Sequence, residues 1–363
     1  MAKKLSSDTT LFAVTMALLA MGLVMVWSSS SALAEESHGN AYHFLVRQVV
    51  WAALGLVVMG AAMRVDYRKL RQPATVYSAV ALTTVLLIVV LFMSPVNGHH
   101  RWIRLGSLSF QPAELAKLTS VLFLAYHLER KGERVNEFLP SLFPALLLLG
   151  WFAYLIFIQA DLGSALVLLV IGGVMLIIGG VRLRYFAVLA VLGVPLLYQA
   201  VMTAAYRRDR IEAFLNPYSD PRGSGYQIIQ SLIAVGTGGV TGVGFTQGRQ
   251  KLFYLPYPYS DFIFAVVGEE LGLIGACAVV LAFVVFLWRG VRAAWKAPDT
   301  FATLLAAGLT LAVVLQAFIN VSVVVGLLPT KGIPLPFLSA GGSSLLFTLL
   351  AVGLVLNVSQ HAD

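Results

Sequence analysis

Apolar runs separated by short polar punctuation recur along the chain from residue 11 to residue 357. Seventeen or more apolar residues in a helix rise about 1.5 Å each and so approach the ~30 Å thickness of a bilayer's hydrocarbon core. The runs place spans at roughly 11–30, 46–63, 74–93, 112–128, 140–158, 162–180, 184–204, 262–288, 301–326 and 336–357. The expected fold is all-α, a polytopic integral membrane protein of about ten transmembrane helices in a single domain over residues 1–363, because helices satisfy every backbone polar group within hydrocarbon.

The rhythm breaks once, between the seventh and eighth runs. Residues 205–261 are too long and glycine-rich for a mere connector, and long ordered loops usually carry function. Within this loop, Gly225–Gly236 is apolar but only about a dozen residues long, which suits a re-entrant or interfacial helix. The run GTGGVTGVGFTQG (236–248) superficially resembles a phosphate-cradling loop. It lacks the Gly-Lys-Ser/Thr ending and a preceding strand, which argues against nucleotide binding.

Composition agrees with the membrane reading: 59% of residues are hydrophobic and 12% charged, against about a quarter charged in soluble domains. Lysine and arginine then orient the chain. With both termini cytoplasmic, the inside connections hold Lys3, Lys4, Arg64, Arg68, Lys69, Arg71, Arg130, Lys131, Arg134, Arg182, Arg184, Arg289, Arg292 and Lys296, while the short outside segments hold only Arg47, Arg101, Arg104 and Lys331. The loop over 205–261 is then periplasmic. The net charge of +8 reads as inside loops facing anionic membrane lipid, and nucleic acid is not an expected partner. Lys3, Lys4 and Ala32-Leu33-Ala34 imitate a cleavable secretory signal, but the apolar core from Leu11 to Trp27 exceeds the usual signal length, so the first helix is expected to stay. The only cysteine, Cys277, lies mid-span and allows no intramolecular disulfide.

Ionisable groups in or beside the spans carry the candidate chemistry, since each costs several kcal/mol in hydrocarbon. Glu114 and Lys117 begin span 4, Asp161 sits between spans 5 and 6, and Asp261 begins span 8; topology puts all four near the outer face. Glu114 and Lys117 are three residues apart and can pair on one helix face, and Lys117 is also expected to reach Asp161. A structural ion pair tying helices together is the alternative. In YSDFIFAVVGEELG (259–272), a continuous helix separates Asp261 from Glu269 by about 80° and ~12 Å, with Glu270 facing away, so the three carboxylates cannot form a close pair. Glu269 and Glu270 are expected to bond neighbouring helices or re-entrant backbone. Asp261 is either a simple N-cap or a proton acceptor beside Arg101-Trp102, Tyr206–Arg210 and Arg249–Lys251. Basic residues gathered at an outer lipid interface beside a carboxylate point to an anionic lipid substrate.

The stretches RWIRLGSLSFQPAELAKL (101–118), QADLGSALVLL (159–169), RIEAFLNPYSDPRGSGYQIIQSLIAVGTGG (210–239), QKLFYLPYPYSDFIFAVVGEELGLIGA (250–276) and LLPTKGIPLPFLSAGGSSLL (327–346) resemble the SEDS family of shape, elongation, division and sporulation proteins across nearly the whole chain. Leu328–Gly332 is more similar to division-type than to elongation-type members. Ala340 and Tyr259-Ser260 depart from the family pattern, where tyrosine and histidine-threonine are usual. The resemblance implies a peptidoglycan glycosyltransferase that polymerises lipid II into a nascent glycan strand at the septum, with a class B penicillin-binding protein and other division proteins as partners.

It also implies that Asp261 is the catalytic base. This carboxylate would take the proton from the GlcNAc 4-hydroxyl as that oxygen attacks the MurNAc anomeric carbon and undecaprenyl diphosphate leaves, inverting α to β. Arg101, Trp102, Lys117, Arg210, Lys251, Lys331 and Ser343 are the candidate substrate- and diphosphate-binding residues, with Glu114, Asp161, Glu269 and Glu270 in support. A divalent cation (Mg or Mn) is the cofactor this chemistry leaves open. A lipid II flippase, an elongation-type polymerase and a noncatalytic scaffold are the rival readings.

Overall fold

The computed structural model describes residues 7–95, 98–105 and 108–361; Lys3 and Lys4, expected in a cytoplasmic tail, lie outside the described residues. Twelve helices are found among them: α1 (Thr9–His38), α2 (His43–Arg64), α3 (Pro73–Val89), α4 (Pro112–Lys131), α5 (Phe143–Ile158), α6 (Leu162–Ile178), α7 (Leu183–Met202), α8 (Ala205–Leu215), α9 (Tyr226–Thr237), α10 (Ile263–Trp295), α11 (Thr300–Val324) and α12 (Gly342–Ser359). A two-stranded antiparallel hairpin, β1 (Ile103–Leu105) and β2 (Leu108–Phe110), precedes α4. The protein is an all-α polytopic membrane protein in which ten of these helices correspond to the ten apolar runs. Eight of the described helices are long and apolar enough to cross a membrane by length and composition alone. The two runs outside that count are α4, which carries Glu114 and Lys117, and α6, which is 17 residues long.

Helix starts follow local chemistry. Asp8, Asp161 and Asp299 cap α1, α6 and α11 by accepting the N–H of Leu11, Ser164 and Ala302 at 2.9, 3.1 and 2.8 Å. Prolines open α3 and α4, where the missing N–H costs nothing. At the centre, α11 and α12 bury most of their residues, whereas α7 buries none and is apolar on all sides, as a helix surrounded by lipid should be. The start of α1 meets the end of α12: the Asp8 N–H donates to Ser359 Oγ at 3.1 Å and the Asp8 carboxylate accepts from Arg289 at 2.8 Å. Residues 8 and 359 therefore lie at one end of the bundle, opposite the residues that open α4, α6, α10 and α12.

The eighth run differs from the uniform helix expected over 262–288. Gly272 (φ 65°, ψ −165°) divides α10, and the chain following α9 enters the break. Val243 and Gly244 donate their N–H groups to Glu269 O (3.0 Å) and Glu270 O (3.1 Å), while Leu273 and Ile274 donate to Gly239 O (2.9 Å) and Val240 O (3.2 Å). A Cβ on Gly242 would stand 2.1 Å from Glu270 O, so this approach admits only glycine. The glycine run at 236–248 is thus a backbone plug for a broken helix, the setting in which irregular backbone is tolerated at membrane depth. A dozen-residue apolar helix does form in the long loop as α9, about 18 Å long and too short to cross.

The tenth run also starts later than expected, at Gly342 and not 336. Residues 331–341 instead form an irregular strap between α11 and α12. Prolines at 334 and 336 keep it out of a helix.

Candidate active site

Asp261 precedes α10 by two residues and is not its N-cap, which is Phe262. The turn holding Asp261 is fastened to the strap after α11. Ala340 N–H donates to Tyr259 O at 2.9 Å, Ser339 Oγ donates to Ser260 O at 2.5 Å, and Asn320 Nδ2 donates to Asp261 O at 2.8 Å. Tyr259 stacks on Phe44 of α2 with ring centroids 4.5 Å apart. A Cβ on Gly332 would lie 3.0 Å from Asp261 Oδ2, so the strap passes the carboxylate at contact distance.

The half-buried Asp261 carboxylate looks into a cavity of about 310 Å³ whose walls include His99, Arg101, Trp102, Gln111, Asp161, Tyr257, Tyr259 and Ser344. A second cavity of about 190 Å³ is lined by Arg101, Asp161, Tyr206, Arg207, Arg210 and Lys331 on its polar side, and by Leu166, Leu197 and Val201 of α6 and α7 on its apolar side. The two lobes share Arg101, Asp161 and Gly332. One lobe is aromatic and carries the carboxylate; the other is cationic and reaches the lipid-facing helix α7.

Burial pushes the Asp261 carboxyl up to about 6, against the opposing pull of Ser260, Arg210 and Arg101. Burial, reinforced by Arg210, brings the Lys331 ammonium down to about 8. Arg210 is likewise lowered by burial and by Arg101, as crowded like charges require. Cationic side chains are anchored from behind: Arg101 donates to the carbonyls of Gln159 and Ala160, Arg207 to Ala200 O at 2.6 Å, and Arg210 to Thr330 O at 3.4 Å. Arg207 also lies over the Phe157 ring at 4.6 Å.

Of the residues singled out from sequence, Asp261, Arg101, Trp102, Asp161, Arg210 and Lys331 converge on these lobes. Three others do not behave as expected. Lys117 does not reach Asp161: its ammonium bonds Glu114 Oε1 at 2.8 Å and Gln316 Oε1 at 2.5 Å and is buried. Asp161 instead accepts from Ser164 N–H, Ser164 Oγ (2.8 Å) and Gln111 Nε2 (3.3 Å). The buried carbonyl-type oxygen on α11 is nearer to the lysine, and Asp161 is occupied as a cap.

Lys251 turns away from both lobes and forms a buried pair with Glu270 Oε1 at 2.6 Å, shared with Ser28 of α1. Ser343 is fully buried and accepts the Gln111 N–H at 3.1 Å. Its neighbour Gly342 admits the Trp51 indole, so these small residues serve helix packing. Glu269 and Glu270 bond the backbone of the segment after α9, accepting from Arg249 N–H (2.8 Å) and Thr246 N–H (3.1 Å). Glu114 accepts from Lys117 and from Ser344 Oγ at 3.3 Å, joining α4 to α12 beneath the lobe.

Sequence reasoning placed Arg207 only within the basic run Tyr206–Arg210 and missed Gln111 and Tyr259 in the wall of the carboxylate lobe and Gln316 and Asn320 behind it. The signal for the last two was present: they are amides four residues apart inside an apolar run, where polar side chains are expensive.

A family model described as cell cycle protein, covering FtsW, RodA and SpoVE, matches residues 8–363. The chain belongs to this family. It is 43% identical over 358 residues to the probable peptidoglycan glycosyltransferase FtsW of Geobacter sulfurreducens (strain ATCC 51573 / DSM 12127 / PCA), covering 98% of this chain and 95% of that one. It is 42% identical over 361 residues to the stage V sporulation protein E of Bacillus subtilis (strain 168), covering 99% of both. Among solved structures, a chain from a peptidoglycan synthase complex that coordinates polymerization and crosslinking superposes with a TM-score of 0.79 at 32% identity over 98% of each chain. The crystal structure of the Thermus thermophilus rod shape determining protein RodA superposes at 0.72, with 28% identity over 98% of this chain and 97% of that one. FtsW/RodA/SpoVE membership thus accords with the expected SEDS resemblance and the all-α membrane fold.

Proposed function

We infer that this protein is a peptidoglycan glycosyltransferase of the FtsW type, which polymerises lipid II at the outer face of the cytoplasmic membrane for septal wall synthesis. The observation that carries the mechanism is the junction of the two lobes: a proton acceptor on one side, cations on the other, and Arg101, Asp161 and Gly332 common to both. Asp261 takes the proton of the attacking sugar hydroxyl. With its carboxyl at about 6, it is ionised at pH 7 yet more basic than a solvent-exposed aspartate, the compromise that general-base catalysis favours. As the new C–O bond forms, the bond from the anomeric carbon to the diphosphate breaks. Arg101, Arg207, Arg210 and Lys331 stabilise the charge that develops on the leaving group, the three arginines being pre-anchored on backbone carbonyls so that little reorganisation is required.

Among the described residues no group of three or more His, Cys, Asp or Glu could hold a metal by itself, and Asp161 already accepts from Ser164 and Gln111, so the protein's own donors do not form a self-sufficient metal site. A flippase requires a polar path through the bilayer; here both lobes lie at the end of the bundle opposite residues 8 and 359. A crosslinking transpeptidase of the class B penicillin-binding type is the natural partner, in keeping with the synthase complex that the fold matches.

The test is polymerisation of purified lipid II by the purified protein, with and without that partner. Asp261→Asn retains the shape of the side chain and removes the base. Glycan synthesis should fall by about 10²–10⁴ per folded molecule, and a variant working at near wild-type rate would remove Asp261 from the mechanism.

A further inference from the structure

Asn320 lies on α11, buried, at a place where three segments of chain meet. Its Nδ2 donates two hydrogen bonds, to Asp261 O at 2.8 Å and to Ile333 O at 2.8 Å. One acceptor belongs to the turn that carries the proposed base. The other belongs to the strap that carries Lys331 and Gly332. Both N–H groups of a single rigid amide are therefore used on two strands of irregular backbone, which themselves have no helical partners at these carbonyls.

One turn earlier, Gln316 continues the pattern: its Nε2 donates to Pro334 O at 3.0 Å, while its Oε1 accepts from Lys117. Residues i and i+4 share a face, so α11 offers the site a rigid ruler with two amide marks. The strap needs such a ruler because its prolines remove backbone donors. Gly332 has no side chain with which to keep its distance from Asp261 Oδ2.

We propose that Asn320 is a positioning residue, holding the Asp261 turn and the Lys331 strap at the separation that glycosyl transfer requires. The proposal rests on the glycosyltransferase reading above. It assigns to a neutral amide inside α11 a role in the reaction that its hydrogen bonds alone perform, since Asn320 does not line either lobe. Loosening it lets the base and the cationic strap drift apart, and a displacement of about 1 Å costs about 10²-fold in rate. Because the amide's hydrogen bonds go to backbone and none reaches a lobe, the loss belongs in kcat and leaves KM for lipid II nearly unchanged.

Asn357 is the matched control. It too is a buried amide bonding only backbone carbonyls through its Nδ2, those of Ala62 and Met63 in the last turn of α2 and of Val65 just after it, at 3.1, 2.9 and 2.7 Å, but at the opposite end of the bundle. Steady-state polymerisation of lipid II, normalised to folded protein, is measured with thermal stability for the wild type, Asn320→Leu, Asn320→Ser, Asn357→Leu and Asp261→Asn. The expected result is a fall in kcat of about tenfold or more for both Asn320 variants at near-constant KM, while Asn357→Leu lowers Tm and leaves kcat unchanged. Should Asn320→Leu fail to fold, Asn320→Ser, which retains one donor too short to bridge both carbonyls, carries the comparison. Wild-type kcat in a folded Asn320 variant, or an equal loss in Asn357→Leu, overturns the proposal. Undiminished activity in Asp261→Asn would instead overturn the reading on which it rests.

Discussion

Asp261 and Lys331 sit on two irregular segments of the same site, and burial moves their protonation in opposite directions, the carboxyl up to about 6 and the ammonium down to about 8. Protonation disables the first as a base; deprotonation removes the charge that the second offers to a diphosphate. The rate therefore falls as pH drops through about 6 and falls again as pH rises through about 8, leaving a bell-shaped window between them. Rates of lipid II polymerisation across pH 5–9 check this. Lys331→Arg should flatten the alkaline limb, because a guanidinium does not titrate in this range; a limb that persists unchanged would assign it to another group. Lys117 and Lys251 make the opposite point. Both are lysines near the expected site, but each is held in a buried ion pair, and removing either partner leaves an uncompensated charge.

At the scale of elements, the interlock between α10 and the segment after α9 is the most constrained feature. Glu269 and Glu270 present both backbone carbonyls and side chains to the plug, and Gly272 and Gly242 meet with no room for a Cβ on either: one on Gly272 would fall 2.3 Å from Gly242 N. Gly242→Val should destabilise the folded protein by about 3 kcal/mol or more, combining a left-handed backbone position (φ 84°) with a backbone collision. Glu270→Gln, which leaves the Lys251 ammonium buried against a neutral amide, should cost about 3–5 kcal/mol. Thermal unfolding in detergent measures both. Stability losses confined to Asp261 variants, with Gly242→Val and Glu270→Gln at the wild-type Tm, would contradict an interlock that holds α9, α10 and α1 together.

On the scale of the whole molecule, every group of the two lobes lies at one end of the bundle and the joined residues 8 and 359 lie at the other. The proposed orientation, with the basic connections inside, has the lobes open to the periplasm. Ser224, partly exposed in the loop between α8 and α9, and exposed Glu133, after α4, report the two faces. In a Cys277→Ala background, Ser224→Cys should react with a membrane-impermeant thiol reagent added outside intact spheroplasts, and Glu133→Cys only after lysis. The reverse pattern would put the lobes on the cytoplasmic side and remove lipid II polymerisation at the outer face.

How much of this was legible beforehand depended on the range of the interaction. Ten spans, the break at 205–261, a dozen-residue helix within it and the placing of Asp261 beside arginines all follow from length, apolar periodicity and charge, which act locally along the chain and against the bilayer. The partners of buried charges follow from none of these. Ser28 meets Glu270 across 242 positions, Asn320 meets Asp261 across 59 and Gln316 meets Lys117 across 199. A buried ammonium takes the acceptor that packing places within 3 Å, so Lys117 found Glu114 and Gln316 where sequence suggested Asp161. Hydrophobicity told which segments enter the membrane; the order in which they pack, and hence which charges face a cavity and which face each other, was decided only by the tertiary structure, because desolvated groups must be paired in three dimensions and spacing along the chain does not specify the pair.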